Sequence, residues 1–279
     1  MTSAILIPLY QPRNRHLLLL KSVISNCSEL AGAEIYVMAD GPKSDVTWPP
    51  GAIEELLGAA DLYSLNLRIF SASSNSGYPG CYHAMLAMLV TDPRLTVFHF
   101  VDQDDYCLPS RFLHRSSKLT QAGSVLVSDS RYLPMARHRF DTMELSAVLE
   151  TPSLGMTFSV PRAQVLEYLA LWDQQPFVRK IAHDFVISQI ALARDSLAAV
   201  SGNSMIYIQH EENTIGYGRG AGRIFRWLRN YRSVLSKLKA HSNLLDILYG
   251  SSTWRGSKRL HRSPVRSGLY RALLATLSQ

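Results

Sequence analysis

Phe98-His99-Phe100-Val101-Asp102-Gln103-Asp104-Asp105-Tyr106 joins an apolar run to three carboxylates within four residues. A run rich in Phe and Val reads as a buried strand, and the acids stand at its C-terminal end. Charge is costly to bury unless a partner neutralises it, and carboxylates this close repel one another. Hard oxygen ligands of this kind suit Mg²⁺ or Mn²⁺, whose coordination substrate phosphates often complete. Taken alone, the same residues also read as a solvated acidic turn.

The flanking chain alternates strand and helix patterns. Ala4–Leu9, Glu34–Ala39, Leu67–Phe70 and Val97–Val101 are short apolar runs of strand length. Between them, Arg15–Cys27 carries Leu18, Leu19, Val23 and Ile24 at helical spacing, Ala52–Ala60 reads as a helix, and Pro79–Val90 places Tyr82, Met85, Leu86 and Leu89 on one face. Ser110 caps a predicted helix to Leu119, followed by a strand over Ser124–Val127. Arg131–Pro152 has weak periodicity and reads as loop. Strand Gly155–Val160, helices Arg162–Leu171 and Ala182–Arg194, and strand Met205–Ile208 complete the pattern. Such alternation predicts an α/β domain with a mainly parallel sheet. Ligands of open parallel sheets bind beyond the carboxyl ends of the strands. Asp40, Asn75-Ser76-Gly77 and Asp102–Asp105 all follow strands, so they converge on one sheet edge.

Composition bounds the remaining possibilities. The chain has 279 residues, 47% of them hydrophobic, which is enough for one large domain or a domain with an appendage. Cys27, Cys81 and Cys107 are odd in number and widely spaced. They suit neither a disulfide framework nor a zinc site and favour a reducing compartment. Pro8 ends the first apolar run early and no basic segment precedes it, unlike a signal peptide. No stretch approaches the roughly 20 apolar residues of a membrane span.

Net charge is +7, unevenly distributed. Residues 1–218 carry 16 Lys and Arg against 21 Asp and Glu; residues 219–279 carry 13 against the single acid Asp246. The expected division is a domain over 1–218 and a basic helical extension over 219–279. Such an asymmetry points to an anionic membrane surface or nucleic acid. Within the extension, Arg223–Lys239 reads as an amphipathic helix. Ile224, Trp227, Leu228, Tyr231, Val234, Leu235 and Leu238 form one face, and basic residues lie mostly beside or opposite it. That pattern suits an anionic bilayer interface and equally a helix packed on the body. No nucleic-acid recognition motif accompanies the charge.

Taken in order, these motifs resemble the inverting nucleotide-sugar glycosyltransferases of family two, with the GT-A fold, and within it the rhamnosyltransferase-like branch. The resemblance runs from Ala4 to Gly216. It rests on Ile5–Tyr10, on Ala39-Asp40-Gly41-Pro42-Lys43-Ser44-Asp45 as the Asp-Asp-Gly-Ser-Thr-Asp turn, and on Asn75-Ser76-Gly77. Asp102-Gln103-Asp104-Asp105 with Pro109 matches the DQDD signature. Ser128-Asp129, Gly155-Met156-Thr157, His183-Asp184-Phe185 and Gln209-His210 with Asn213 and Gly216 follow in family order. Ala39, Cys81 and Val186 depart from the pattern, standing where the family or branch has Asp, Asn and Trp.

The resemblance implies a role for each residue. Asp104 is the direct ligand of Mg²⁺ or Mn²⁺; Asp102 contacts the ribose or supports the metal. Asp105 orients its neighbours or approaches the donor sugar, or else caps the next helix. Asp40 accepts a hydrogen bond from the base of a UDP- or dTDP-sugar, and Asn75 and Gly77 shape the loop beside the nucleotide. Asp184 is the general base, although at a helix start a carboxylate is also favoured by the dipole. His210 aids metal or diphosphate binding. Tyr78 and Tyr82 read as packing. The implied acceptor is a hydroxyl of a surface-glycan or lipid-linked substrate. The implied location is cytoplasmic, peripheral on the inner face of the cytoplasmic membrane. A nucleotidyltransferase using the same acids, or an inactive scaffold binding membrane or nucleic acid, are the alternatives.

Overall fold

Alternation in the first strand organises the molecule. Successive side chains of a strand point to opposite faces. In the computed structural model Ala4 and Leu6 enter one core, while Ile5, Ile7 and Leu9 enter another across the sheet. Both faces are covered, which is why β1 (Thr2–Leu9) and β2 (Glu34–Ala39) read as continuous apolar runs. The structure describes residues 2–27, 32–42, 46–103, 105–108, 112, 125–133, 157–208 and 231–251, with 254, 268, 271, 272 and 275.

The described elements continue with α1 (Asn14–Cys27), α2 (Ala52–Leu62), β3 (Asn66–Ser71), α3 (Gly77–Leu89), β4 (Leu95–Phe100) and β5 (Tyr106–Cys107). Then come β6 (Val125–Leu133), β7 (Ser159–Pro161), α4 (Arg162–Gln174), a 3-10 turn over Pro176–Lys180, α5 (His183–Ala193), β8 (Leu197–Ile208) and α6 (Tyr231–Tyr249). The strands form one sheet in the order β3-β2-β1-β4-β7-β6-β8-β5. Its β3-β2-β1-β4 half is parallel throughout, as is the β6–β8 pair. Pairings of β7 with β4 and β6, and of β5 with β8, are antiparallel. The fold is α/β with a mixed, mostly parallel sheet, as the alternating pattern predicts.

Details differ from the sequence reading where packing overrides local pattern. Leu18 is 69% exposed, whereas Leu19, Val23 and Ile24 are buried as expected, together with Leu17, Leu20 and Cys27. Four consecutive leucines carry no phase of their own, so the pattern does not say which of them faces solvent. β8 begins at Leu197, ahead of the expected Met205, and β6 runs to Leu133. The predicted helix at Ser110–Leu119 is described only at Phe112, which is helical; 134–156 lie outside the described residues.

Arg162, at the head of α4, fastens the middle of the sheet. Its guanidinium donates to the carbonyl of Asp92 at 2.7 Å, to that of Leu95 at 3.3 Å and to that of Val90. These carbonyls lie at the end of α3 and the entry to β4; that of Val90, the residue capping α3, is one that helix geometry leaves without an intrahelical partner.

The basic extension contributes to the same core. Of the expected Arg223–Lys239 helix, 223–230 lie outside the described residues, and the helix observed runs on to Tyr249. Leu238, Ala240, Leu244 and Leu245 are buried. The His241 ring stacks on Phe185 of α5, with centroids 4.2 Å apart and planes at 11°. The Tyr249 hydroxyl reaches the carbonyl and Oε1 of Gln189, both at 3.1 Å. From Leu238 onward, then, the apolar face of this helix is a packing face. No helix among the described residues is long and apolar enough to cross a membrane.

Candidate functional site at the carboxyl edge of the sheet

Parallel register aligns the ends of β1, β2 and β3. Leu9 pairs with Ala39 and Ala39 with Ser71, so Tyr10, Asp40 and the 72–77 loop emerge side by side. Backbone bonds extend the alignment: the Asp40 N–H donates to Leu9 O at 2.7 Å and the Ala72 N–H to Ala39 O at 2.8 Å.

Asp40 is only 7% exposed, and its Oδ1 accepts from the Ser76 N–H at 2.9 Å and from Ser76 Oγ at 3.3 Å. The carboxylate that the resemblance assigns to the base thus also latches the loop before α3. Asn75 Oδ1 accepts from the Gly77 N–H at 3.1 Å, an Asx-type turn. Gly77 takes φ +71°, open to glycine without strain. Gly80 keeps the latch closed: a Cβ there would lie 2.7 Å from Ser76 Cβ and 2.8 Å from its Oγ.

Gly80→Ala is therefore expected to push Ser76 off Asp40. Helix propensity favours the alanine by about 1 kcal/mol, but overpacking costs about 1–3 kcal/mol. Urea unfolding should show a net loss of stability; an unchanged or raised midpoint would mean that the loop gives way freely.

The acidic turn is anchored from two sides. The Tyr10 N–H donates to Gln103 Oε1 at 2.5 Å, fastening the turn to the end of β1. The Tyr82 hydroxyl of α3 lies 3.0 Å from the Val101 carbonyl and 3.2 Å from Asp102 Oδ1. Burial, then the Asp102 charge, push the Tyr82 phenol well above its ordinary range, so it remains a donor. Asp102 is half-buried, whereas Asp105 has no exposed surface and immediately precedes β5. Asp104 and His210 lie outside the described residues. Among the described residues no group of three His, Cys, Asp or Glu could hold a metal.

Asp184 lies in the first turn of α5, half-buried, and its Oδ1 accepts from the Phe185 N–H at 2.8 Å. Its charge is felt inside the core, where burial and then Asp184 raise the Tyr168 phenol. His183, one residue earlier, is buried among aromatic rings. Its centroid is 4.3 Å from Tyr82 and 5.5 Å from Phe100, and it is stacked on Phe100 at 9°. Neither ring nitrogen has a hydrogen-bond partner among the described residues, and burial pushes its pKa down to about 3.

The structure thus joins Asp40 to the Asn75–Gly77 turn through Ser76. It joins Asp102 to the start of α5 through Tyr82 and His183. Sequence reading missed Ser76, Gly80 and Gln103 and took Tyr82 as packing alone. Ser76 and Gln103 were visible inside the Asn75-Ser76-Gly77 and DQDD runs but had no role assigned; no local pattern marks Gly80 or the Tyr82 hydroxyl. Chemically, the edge offers carboxylate oxygens suited to a hard cation and a half-buried carboxylate able to take a proton.

No protein-family model and no curated protein matches the chain. Solved structures do. S. aureus TarS matches with a TM-score of 0.61 at 14% identity, over 91% of this chain and 42% of that one. This chain therefore spans less than half the length of that TarS chain. Residues 1–349 of TarS in complex with UDP-GlcNAc match with a TM-score of 0.60 at 14% identity, over 99% of this chain and 80% of that one. The mannosyltransferase PcManGT from Pyrobaculum calidifontis, in complex with GDP-Man and Mn²⁺, matches with a TM-score of 0.53 at 12% identity, over 99% and 74%. At these identities the likeness is one of fold: this chain has the GT-A-like α/β fold of its glycosyltransferase neighbours.

Proposed function

We propose that this chain is an inverting, metal-dependent glycosyltransferase. It moves a sugar from a UDP- or dTDP-sugar to a hydroxyl of a surface-glycan or lipid-linked acceptor. One observation carries the reading: at the carboxyl edge of the sheet Asp40 is tied to the Asn75–Gly77 turn, and Asp102 to the head of α5. The fold is that of TarS, solved with UDP-GlcNAc, and of PcManGT, solved with GDP-Man and Mn²⁺. Rhamnose as the transferred sugar rests on the DQDD resemblance.

Asp40 and Tyr10 hold the base. With Asp40 Oδ1 engaged by Ser76, its other oxygen accepts the imide N–H of uracil or thymine. The Tyr10 ring, 48% exposed beside it, offers an apolar face for stacking. Asp102 is half-buried and oriented by a hydroxyl, a setting that fits a hard divalent cation or a ribose. Asp102, Asp104 and His210 would hold Mg²⁺ or Mn²⁺; a bound cation supplies Lewis-acid stabilisation of the departing diphosphate. Asp105 backs the turn from the core.

Asp184 takes the proton of the acceptor hydroxyl as that oxygen attacks the anomeric carbon. The new carbon–oxygen bond forms as the bond to the diphosphate oxygen breaks, in one inverting displacement. Attachment to the inner face of the cytoplasmic membrane belongs to the same proposal. The basic residues between Arg255 and Arg266 support it; Leu238, Leu244 and Leu245 do not, being buried.

Calorimetric titration with UDP, dTDP and GDP, each with and without Mn²⁺ or Mg²⁺, tests the reading. Binding of UDP or dTDP that needs the cation is expected, weakened about tenfold or more in Asp102→Ala, the scale of losing a charged contact. Absence of nucleotide binding under every condition overturns the proposal.

A further inference from the structure

We propose that Tyr82 is a positioning residue of the donor site, its hydroxyl setting the Asp102 carboxylate while its ring locks that carboxylate to the helix bearing Asp184. The inference rests on the function proposed above and adds a residue to it.

Tyr82 is fully buried on α3, and a buried phenol needs a partner for its O–H. Two acceptors share it, the Val101 carbonyl at 3.0 Å and Asp102 Oδ1 at 3.2 Å. Both belong to the point where β4 gives way to the acidic turn. A bond to the carbonyl alone would serve the fold; the second acceptor fixes the direction of a half-buried carboxylate that faces the proposed ligand. The ring has its own constraints. It lies 4.8 Å from Phe100, two residues before Asp102, 4.3 Å from His183, one residue before Asp184, and 5.2 Å from Tyr78 at right angles. His183 in turn stacks on Phe100. One rigid aromatic block therefore underlies both carboxylates, and a close-packed interior transmits a displacement at one side to the other.

Phenylalanine at this position keeps the ring and removes only the hydroxyl. Tyr82→Phe is expected to weaken Mn²⁺-dependent UDP or dTDP binding by about 5–10-fold, a coupling normal for groups in contact. In an Asp102→Asn background the same change should cost less than about twofold, because the group through which the hydroxyl acts is already altered. Equal losses in the two backgrounds, or no loss in either, overturn the proposal. A urea-unfolding cycle on the same four proteins, without nucleotide, gives a second readout. Stability effects of the two substitutions should be non-additive, and strict additivity also overturns the proposal. Loss of all nucleotide binding by the unmodified chain is a different result: it removes the proposed function and this inference with it. Binding by the unmodified chain with additive cycles removes only this inference.

Discussion

Asp184→Asn is expected to lower sugar transfer by about 10²–10⁴-fold, the usual contribution of a general base, while nucleotide affinity stays within about twofold. The amide keeps the size of the carboxylate, and its carbonyl oxygen still accepts the Phe185 N–H now bound at 2.8 Å. What it loses is the ability to take a proton. Removing a negative charge from the first turn of α5 costs the helix about 0.3–1 kcal/mol, too little to unfold the chain. The checks are release of nucleoside diphosphate from UDP-GlcNAc, UDP-glucose and dTDP-rhamnose, followed over time, and calorimetry of the free nucleotides. Turnover at the unmodified rate would exclude Asp184 as base. A parallel collapse of nucleotide binding would make it a structural residue.

Mild acid is expected to destabilise the protein through two imidazoles, the buried His183 and the half-buried His241. Burial lowers His183 to about 3; burial, then the Lys237 cation, lower His241 to about 4. In the unfolded chain both titrate near 6.5. Between these values the unfolded state binds more protons than the folded one, so stability rises with pH in that window. Their contribution is fully present above about pH 6.5 and declines as pH falls toward 4 and then 3. At pH 5 each uncharged imidazole costs about 2 kcal/mol relative to neutral pH, about 4 kcal/mol for the pair. Urea unfolding at pH 7.5 and 5.0 measures the loss. His241→Phe keeps an aromatic ring against Phe185 and should reduce the pH-dependent loss by about half. An unchanged loss in that variant would mean that His241 is not kept neutral by the fold.

The parallel half of the sheet was legible in the sequence because local and long-range requirements coincide there. Apolar runs of strand length, each followed by a turn with Asp, Asn or Gly, fit strands covered on both faces with open ends, as β1, β2 and β4 are; the edge strand β3 is only half covered. The same coincidence placed Asp40, Asn75, Gly77 and Asp102 on one edge. Legibility fell where one local pattern permits several phases or lengths. The leucines of α1 allowed a stripe containing Leu18, which the structure exposes. The helix of the basic extension shows an apolar pattern that either a membrane or a protein core accepts; of the expected face the structure shows Leu238 buried in the protein, and the helix continues beyond it with Leu244 and Leu245 buried.

By itself, then, the sequence determined the α/β alternation and the edge where the candidate site residues gather. These follow from periodicity and residue type, which are properties of neighbours in the chain. Only the tertiary structure decided how the acids are held. Ser76 closing on Asp40 and Tyr82 lying between Asp102 and His183 depend on contacts across 20 to 101 residues. Such contacts exist only once β4, α3 and α5 have packed, because a hydroxyl or an imidazole takes its role from the group that the fold sets against it.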